Sequence, residues 1–189
     1  MPETTNGPSE EERRFCRFAT ARRPEEGYSE LPPDGLCLSS FVLLSPKGHP
    51  ERVLVGKLDP TAPWRKIGAL DARRVQQNAT GWMLPSSQLM FFESPEAAAH
   101  RVVAEQLGLG PVPLGPPQVV SEAYRSPRHP ERAMHWDLEF LFRGAVDLER
   151  APRHAAWVEL AFIEPARTPT SAFTRSHEEV LENAGFTIG

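Results

Sequence analysis

The stretch Gly81–Leu109, GWMLPSSQLMFFESPEAAAHRVVAEQLGL, decides the fold. Its opening is apolar, with Trp82, Met83 and Leu84 closed by Pro85, and two serines and a short loop follow before Glu93. Ser94 is placed to cap a helix, Pro95 suits its first position, Glu96 complements its first turn, and Gly108 stands just past its end. The order is therefore strand, loop, helix. A backbone delivered from a strand to the start of a helix that carries Arg101 and Glu105 suits phosphates and their metal ions.

Outward from this stretch, 189 residues suffice for one ordinary domain, here taken as residues 36–189, with residues 1–35 as a tail, short helix and linker. Apolar residues make up 40% and charged residues 24%, and no apolar run approaches a bilayer span, so a soluble protein without membrane partners is expected. The opening MPETTNGPSEEERR is acidic and polar where an export signal is basic and then apolar. Cys16 and Cys37 have neither metal-ligand spacing nor the density of a disulfide framework. Together these predict a cytoplasmic protein. A net charge of −4 argues against a chain built to coat nucleic acid.

Ser9 and Glu12 form a capping box for a helix ending near Arg23, a candidate dimer or self-packing element, and the prolines up to Gly35 read as a linker. Leu36–Leu44 and Glu51–Leu58 read as strands joined by a turn-rich connection, and together as a hairpin. Residues 59–80 are an excursion with a helical turn at Asp71–Gln77, placed to cover a cleft. Val119–Tyr124, Ala133–Phe142 and Ala155–Phe162 read as further strands, and Ser176 with Glu179 opens a last helix through a second capping box. The second of these strands alternates, with Met134, Trp136, Leu138 and Phe140 on a core face and His135, Asp137 and Glu139 on a wet one. The sum is an α+β fold, a mixed sheet with helices on its faces.

The central stretch resembles the Nudix box: Gly, five residues, Glu, seven residues, Arg-Glu, an apolar residue, any residue, Glu-Glu, any residue, Gly, apolar. Its positions fall on Ser87, Glu93, Arg101-Val102, Val103, Ala104, Glu105-Gln106, Leu107, Gly108 and Leu109. The spacing matches throughout, and Gly81–Pro85 resembles the family's entry into the box. The resemblance implies an αβα sandwich, a substrate that is a nucleoside diphosphate linked to another moiety, and Mg²⁺ or Mn²⁺ as cofactor. In the family the helix presents three glutamates to the cations, at positions held here by Val102, Glu105 and Gln106. Only Glu105 is retained, so the resemblance implies a degenerate box and a weakly held, substrate-assisted metal. The loop glycines are replaced by Ser86 and Ser87, which penalises any left-handed backbone and sets side chains beside a ligand.

The candidate catalytic residues are Glu105, Glu93 and Glu139, the last two as proton acceptors. The candidate metal ligands are Glu105, Gln106 and Asp137, the strand carboxylates approaching the helix across a cleft. The candidate substrate contacts are Ser86, Ser87, Arg101, Trp64 as a stacking lid, and Arg128 in the loop cluster Arg125, Arg128, Arg132. Plain readings stand beside these: an ion pair between Arg101 and Glu105, a solvated strand face, core tryptophans, and solvated loop charge. In the family Glu93 and Arg101 mainly brace the loop against the helix. Three readings of function follow: a pyrophosphohydrolase with an impaired metal site, a non-catalytic module that senses a nucleotide or binds RNA or protein, and a purely structural domain.

Overall fold

In a computed structural model, residues 36–124 and 135–189 are described. All belong to a compact unit spanning residues 32–189. The N-terminal helix, Cys16, and Arg125, Arg128 and Arg132 lie outside the described residues.

The elements run β1 (Leu36–Pro46), β2 (Val53–Leu58), α1 (Trp64–Ile67), α2 (Ala72–Asn78), β3 (Ser86–Gln88), α3 (Pro95–Leu107), β4 (Gln118–Tyr124), β5 (His135–Val146), β6 (Trp157–Ile163) and α4 (His177–Asn183). They build a four-stranded sheet of order β3-β1-β5-β4 and a two-stranded sheet of β2 and β6. The first sheet is mixed, because β1 runs parallel to β5 while β3 and β4 run antiparallel to their neighbours. This is the α+β architecture expected.

The expected hairpin does not form: β1 pairs with β3 and β5, whereas β2 pairs with β6. The reason is burial on both faces. Val53, Leu54 and Val55 are each fully buried, so β2 carries no alternation to bind it to its sequence neighbour. Alternation does organise β1 and β5. Val42, Leu44 and Phe142 pack with Ala99, Val102 and Val103 of α3, which also meets Leu54 and Phe162 of the second sheet. Phe41, Leu43 and Leu141 face the other way and pack with Val180 and Leu181 of α4. One face of the first sheet thus meets α3 and the other α4, and α3 lies between the two sheets.

The Gly81–Leu109 stretch bridges the sheets. Met83 exchanges backbone hydrogen bonds with Gly56 of β2, and the Pro85 carbonyl then accepts from Val42 of β1. The strand expected at Trp82–Leu84 is a pair of isolated bridges, and regular pairing begins only at β3. Helix α3 has its expected caps: Ser94 Oγ accepts from the Ala97 amide, Pro95 is at its start, and Gly108 closes it at φ 63°. The capping box at α4 is absent, since Ser176 is left-handed and its side chain makes no capping bond. No helix among the described residues is long and apolar enough to cross a membrane.

Candidate ligand cavity and the helix beside it

On the α4 side of the first sheet lies a cavity of about 760 Å³. Its floor is the outward set of β1 and β5: Cys37, Ser39 and Phe41, with Asp137 and Glu139 in parallel register beside Cys37 and Ser39. Its walls are residues 68–70, the α2 residues Arg74, Gln77 and Asn78, the β3 segment Ser86–Gln88, and Arg175 to Val180 without Glu178. Glu122 of β4, opposite Asp137, completes this lining. The period-2 rule explains the convergence: Asp137, Glu139 and Leu141 share a face, and Leu141 belongs to the α4-side core.

Three residues depart from their expected roles for a physical reason. Trp64 is no lid. It is 2% exposed, meets Trp157 edge-on at 4.8 Å between centroids, and donates its indole N–H to the Asp59 carbonyl at 3.0 Å. An apolar ring at the start of a short helix packs inward when a second tryptophan offers it an edge. Asp137 and Glu139 do not approach the carboxylates of α3 across a cleft, because α3 meets the opposite face through Phe142 and, at its margin, Phe140. The face expected to be wet is closed over by α2, α4 and the 68–70 segment.

Beside the cavity, Arg101 makes a two-pronged pair with Glu93, Nε to Oε1 at 2.7 Å and Nη2 to Oε2 at 2.8 Å. Both side chains are shielded, at 12% and 13% exposure. Arg101 Nη2 also donates to the Gln88 carbonyl at 3.0 Å and Nη1 to Ser87 Oγ at 3.3 Å, while Glu93 accepts from the Met90 amide. The Arg101 hydrogen bonds hold the Glu93 carboxyl below its ordinary range. The guanidinium therefore clamps the loop to the helix and leaves Glu105 to act on it only through space, as a charge that raises its pKa less than Glu93 does. The plain Arg101–Glu105 ion pair is replaced by this clamp.

The helix positions that would face a metal are occupied otherwise. Val102 is fully buried in the core under α3. Gln106, also fully buried, donates its side-chain amide to the carbonyls of Ile67 and Ser86, each at 2.8 Å. Glu105 keeps one buried oxygen, Oε2, without a hydrogen-bond partner among the described residues. Among those residues no three His, Cys, Asp or Glu side chains converge as a metal site requires. Glu105 and Gln106 do not line the cavity described above, whereas Ser86, Ser87, Asp137 and Glu139 do. A divalent cation does not fit the donor set of α3. Ser86 and Ser87 carry no left-handed strain, since both are extended in β3.

The cavity is acidic. Glu122, Asp137, Glu139 and Glu179 face Arg74 and Arg175. Burial, and then the charges of Glu122, Asp137 and Glu179, push the Glu139 carboxyl up to about 7. A carboxyl poised there can hold or release a proton near neutrality. His177 is fully enclosed and pushed down to about 3, first by burial and then by Arg175. Its Nδ1 accepts from the Leu84 amide at 2.8 Å, so the ring is neutral with its proton on Nε2. Burial also raises the Cys37 thiol, which makes it a poor nucleophile. Sequence reasoning missed His177, Cys37, Ser39, Glu122 and Glu179 as cavity residues. No local pattern marks them, because they arrive from three separate elements.

No family model matches the chain, and no curated protein matches it in sequence. Solved structures do match in shape. The E. coli dihydroneopterin triphosphate pyrophosphohydrolase is 16% identical over 77% of this chain and 92% of its own, with a TM-score of 0.51. The NUDIX domain of Shewanella oneidensis NrtR, solved with ADP ribose, is 16% identical over 87% of this chain and 92% of its own, also at 0.51. The MutT protein of Methanosarcina mazei Go1 is 16% identical over 80% of this chain and 96% of its own, at 0.51. At such identities these likenesses establish a fold.

Proposed function

Taking as premise that the chain has the Nudix fold, we propose that it is a binding module for a nucleoside diphosphate linked to another moiety, without metal-dependent hydrolysis on α3. One observation carries the reading: Val102 is core and the Gln106 amide is engaged by two carbonyls, so one carboxylate of that helix set remains. The likeness to a NUDIX domain solved with ADP ribose supports the ligand class. The cavity chemistry supports an orientation. Carboxylates at Glu122, Asp137 and Glu139 accept from the N–H edge of a base and repel phosphate, while Arg74 and Arg175 supply the cations that phosphate oxygens need. Residues 36–189 form the ligand domain in this reading, and residues 1–35 are an appendage that can pair two copies.

The test is thermal stabilisation by ADP-ribose and other nucleoside diphosphate conjugates in EDTA, with chromatography of the products. Binding without product formation is expected. Replacing Asp137 by Asn weakens it by about tenfold or more, because a hydrogen bond to a charged acceptor is worth about 1.5–3 kcal/mol. No stabilisation by any conjugate overturns the reading. The poised Glu139 favours a second one, a slow hydrolase that uses this carboxyl as proton acceptor. Product release that collapses in Glu139→Gln while ligand-induced stabilisation persists would decide for it.

A further inference from the structure

Gln106 joins two walls of the cavity through one functional group. Ile67 ends α1, and the cavity-lining segment 68–70 begins at the next residue. Ser86 opens β3 and itself lines the cavity. These two residues are far apart in sequence, yet their carbonyl oxygens both lie 2.8 Å from Gln106 Nε2. The helix backbone is pinned at the same place, since the Trp157 indole donates to the Gln106 carbonyl at 2.8 Å. The approach of the 68–70 segment is close: a Cβ on Gly68 would stand 2.7 Å from the Trp64 ring and 3.5 Å from Gln106 Nε2.

The orientation of the amide is fixed by chemistry. With the nitrogen toward the carbonyls, both N–H groups are used. The reverse would aim Oε1 at two oxygens and leave three acceptors facing one another. The cost of the observed choice is that Oε1 lies buried without a hydrogen-bond partner among the described residues. Glutamate has the same shape as glutamine but no donor, so a carboxylate here would meet the Ile67 and Ser86 carbonyls oxygen to oxygen. A cation among the three oxygens would reverse that repulsion. An amide nitrogen and a bound cation are thus alternative occupants of one place.

We infer that Gln106 is the positioning residue of the cavity, a covalently fixed stand-in for a cation that ties the 67–70 and 86–88 segments together and makes the site preformed without divalent metal. The consequence for ligand binding rests on the cavity being the ligand site, but the tie itself does not. Metal therefore has no part in shaping the walls of this cavity, and chelation leaves them in place.

The experiment is ligand-free. Thermal unfolding of the wild-type chain and Gln106→Glu is followed in EDTA and in MnCl₂, and bound Mn²⁺ is read by electron paramagnetic resonance. The wild type is expected to melt at the same temperature in both and to bind no Mn²⁺ at α3. Gln106→Glu is expected to melt several degrees lower in EDTA, and to regain that loss as it binds one Mn²⁺. A wild type stabilised by a stoichiometric Mn²⁺ overturns the inference, as does a Gln106→Glu variant that is unaffected in EDTA or that Mn²⁺ fails to restore. If Gln106→Glu does not fold, Gln106→Met keeps the length without the donor. Its amide hydrogen exchange should then quicken in residues 67–70 and 86–88 and stay unchanged in α4, and unchanged exchange in those two segments overturns the tie. A failed nucleotide-binding assay leaves all these readouts standing, so the two proposals fail separately.

Discussion

Arg101 and Glu93 show how much of a box can be scaffold. The guanidinium satisfies Glu93 through two prongs and still reaches the Gln88 carbonyl and Ser87 Oγ, so one side chain fastens loop, strand and helix. Lysine has the charge without the fork. Arg101→Lys should therefore cost most of what Arg101→Ala costs, about 2–4 kcal/mol, because either leaves a shielded carboxylate short of donors. Urea denaturation of both variants checks this, and an Arg101→Lys midpoint at the wild-type value would show that charge alone suffices. Val102 gives the converse case. Restoring the glutamate of the box pattern by Val102→Glu places a carboxylate at a fully buried site among Ala99, Val103 and Phe142. The expected loss is about 3–5 kcal/mol, the scale of an uncompensated buried charge, seen as a lower urea midpoint and unaffected by Mg²⁺.

At the scale of elements, α3 is the best-specified piece of the chain. Its Ser94 cap, proline start and left-handed Gly108 end are each local chemistry. Ser94→Ala should cost about 1 kcal/mol by thermal unfolding, since one helix N–H loses its acceptor. These same local signals made the helix legible in sequence. Apart from β3, read as loop, the strands were legible as strands, but their partners were not. β2 is buried throughout and β1 keeps apolar residues on both faces from Phe41 to Leu44, so nothing local says that β1 pairs in parallel with β5, about a hundred residues on. The excursion at residues 59–80 was legible as a cover for a cleft, and its 68–70 segment and α2 do line the cavity. Its tryptophan was misplaced because a lid and a core anchor look alike until a partner such as Trp157 is known.

For the whole molecule, two titratable groups on one cavity, half-buried Glu139 and buried His177, oppose each other across pH. Glu139 has a folded pKa of about 7 against an ordinary 4.5, so its contribution is fully present below pH 4.5 and is lost as pH rises through 7. His177 has a folded pKa of about 3 against 6.5, so its contribution is present above pH 6.5 and is lost as pH falls toward 3. Glu139→Gln should therefore raise the urea midpoint above pH 7 and lose that advantage below pH 4.5. A variant that tracks the wild type at every pH would show that this carboxyl is not held above its ordinary range.

The sequence by itself determined α3, its caps and most strand segments, because each is written in near neighbours along the chain. It also placed Asp137 and Glu139 on one face of β5, because side chains alternate along any strand. Only the tertiary structure decided which way that face looks, and that it closes against α4 instead of reaching α3. Tertiary structure likewise decided what two neighbouring positions of α3 do: a core contact at Val102, and at Gln106 a donor to two carbonyls from distant segments. The reason is one of range. Caps and periodicity act within a turn or two of chain, whereas the acidity of the cavity and the tie at Gln106 exist only where four or more elements meet.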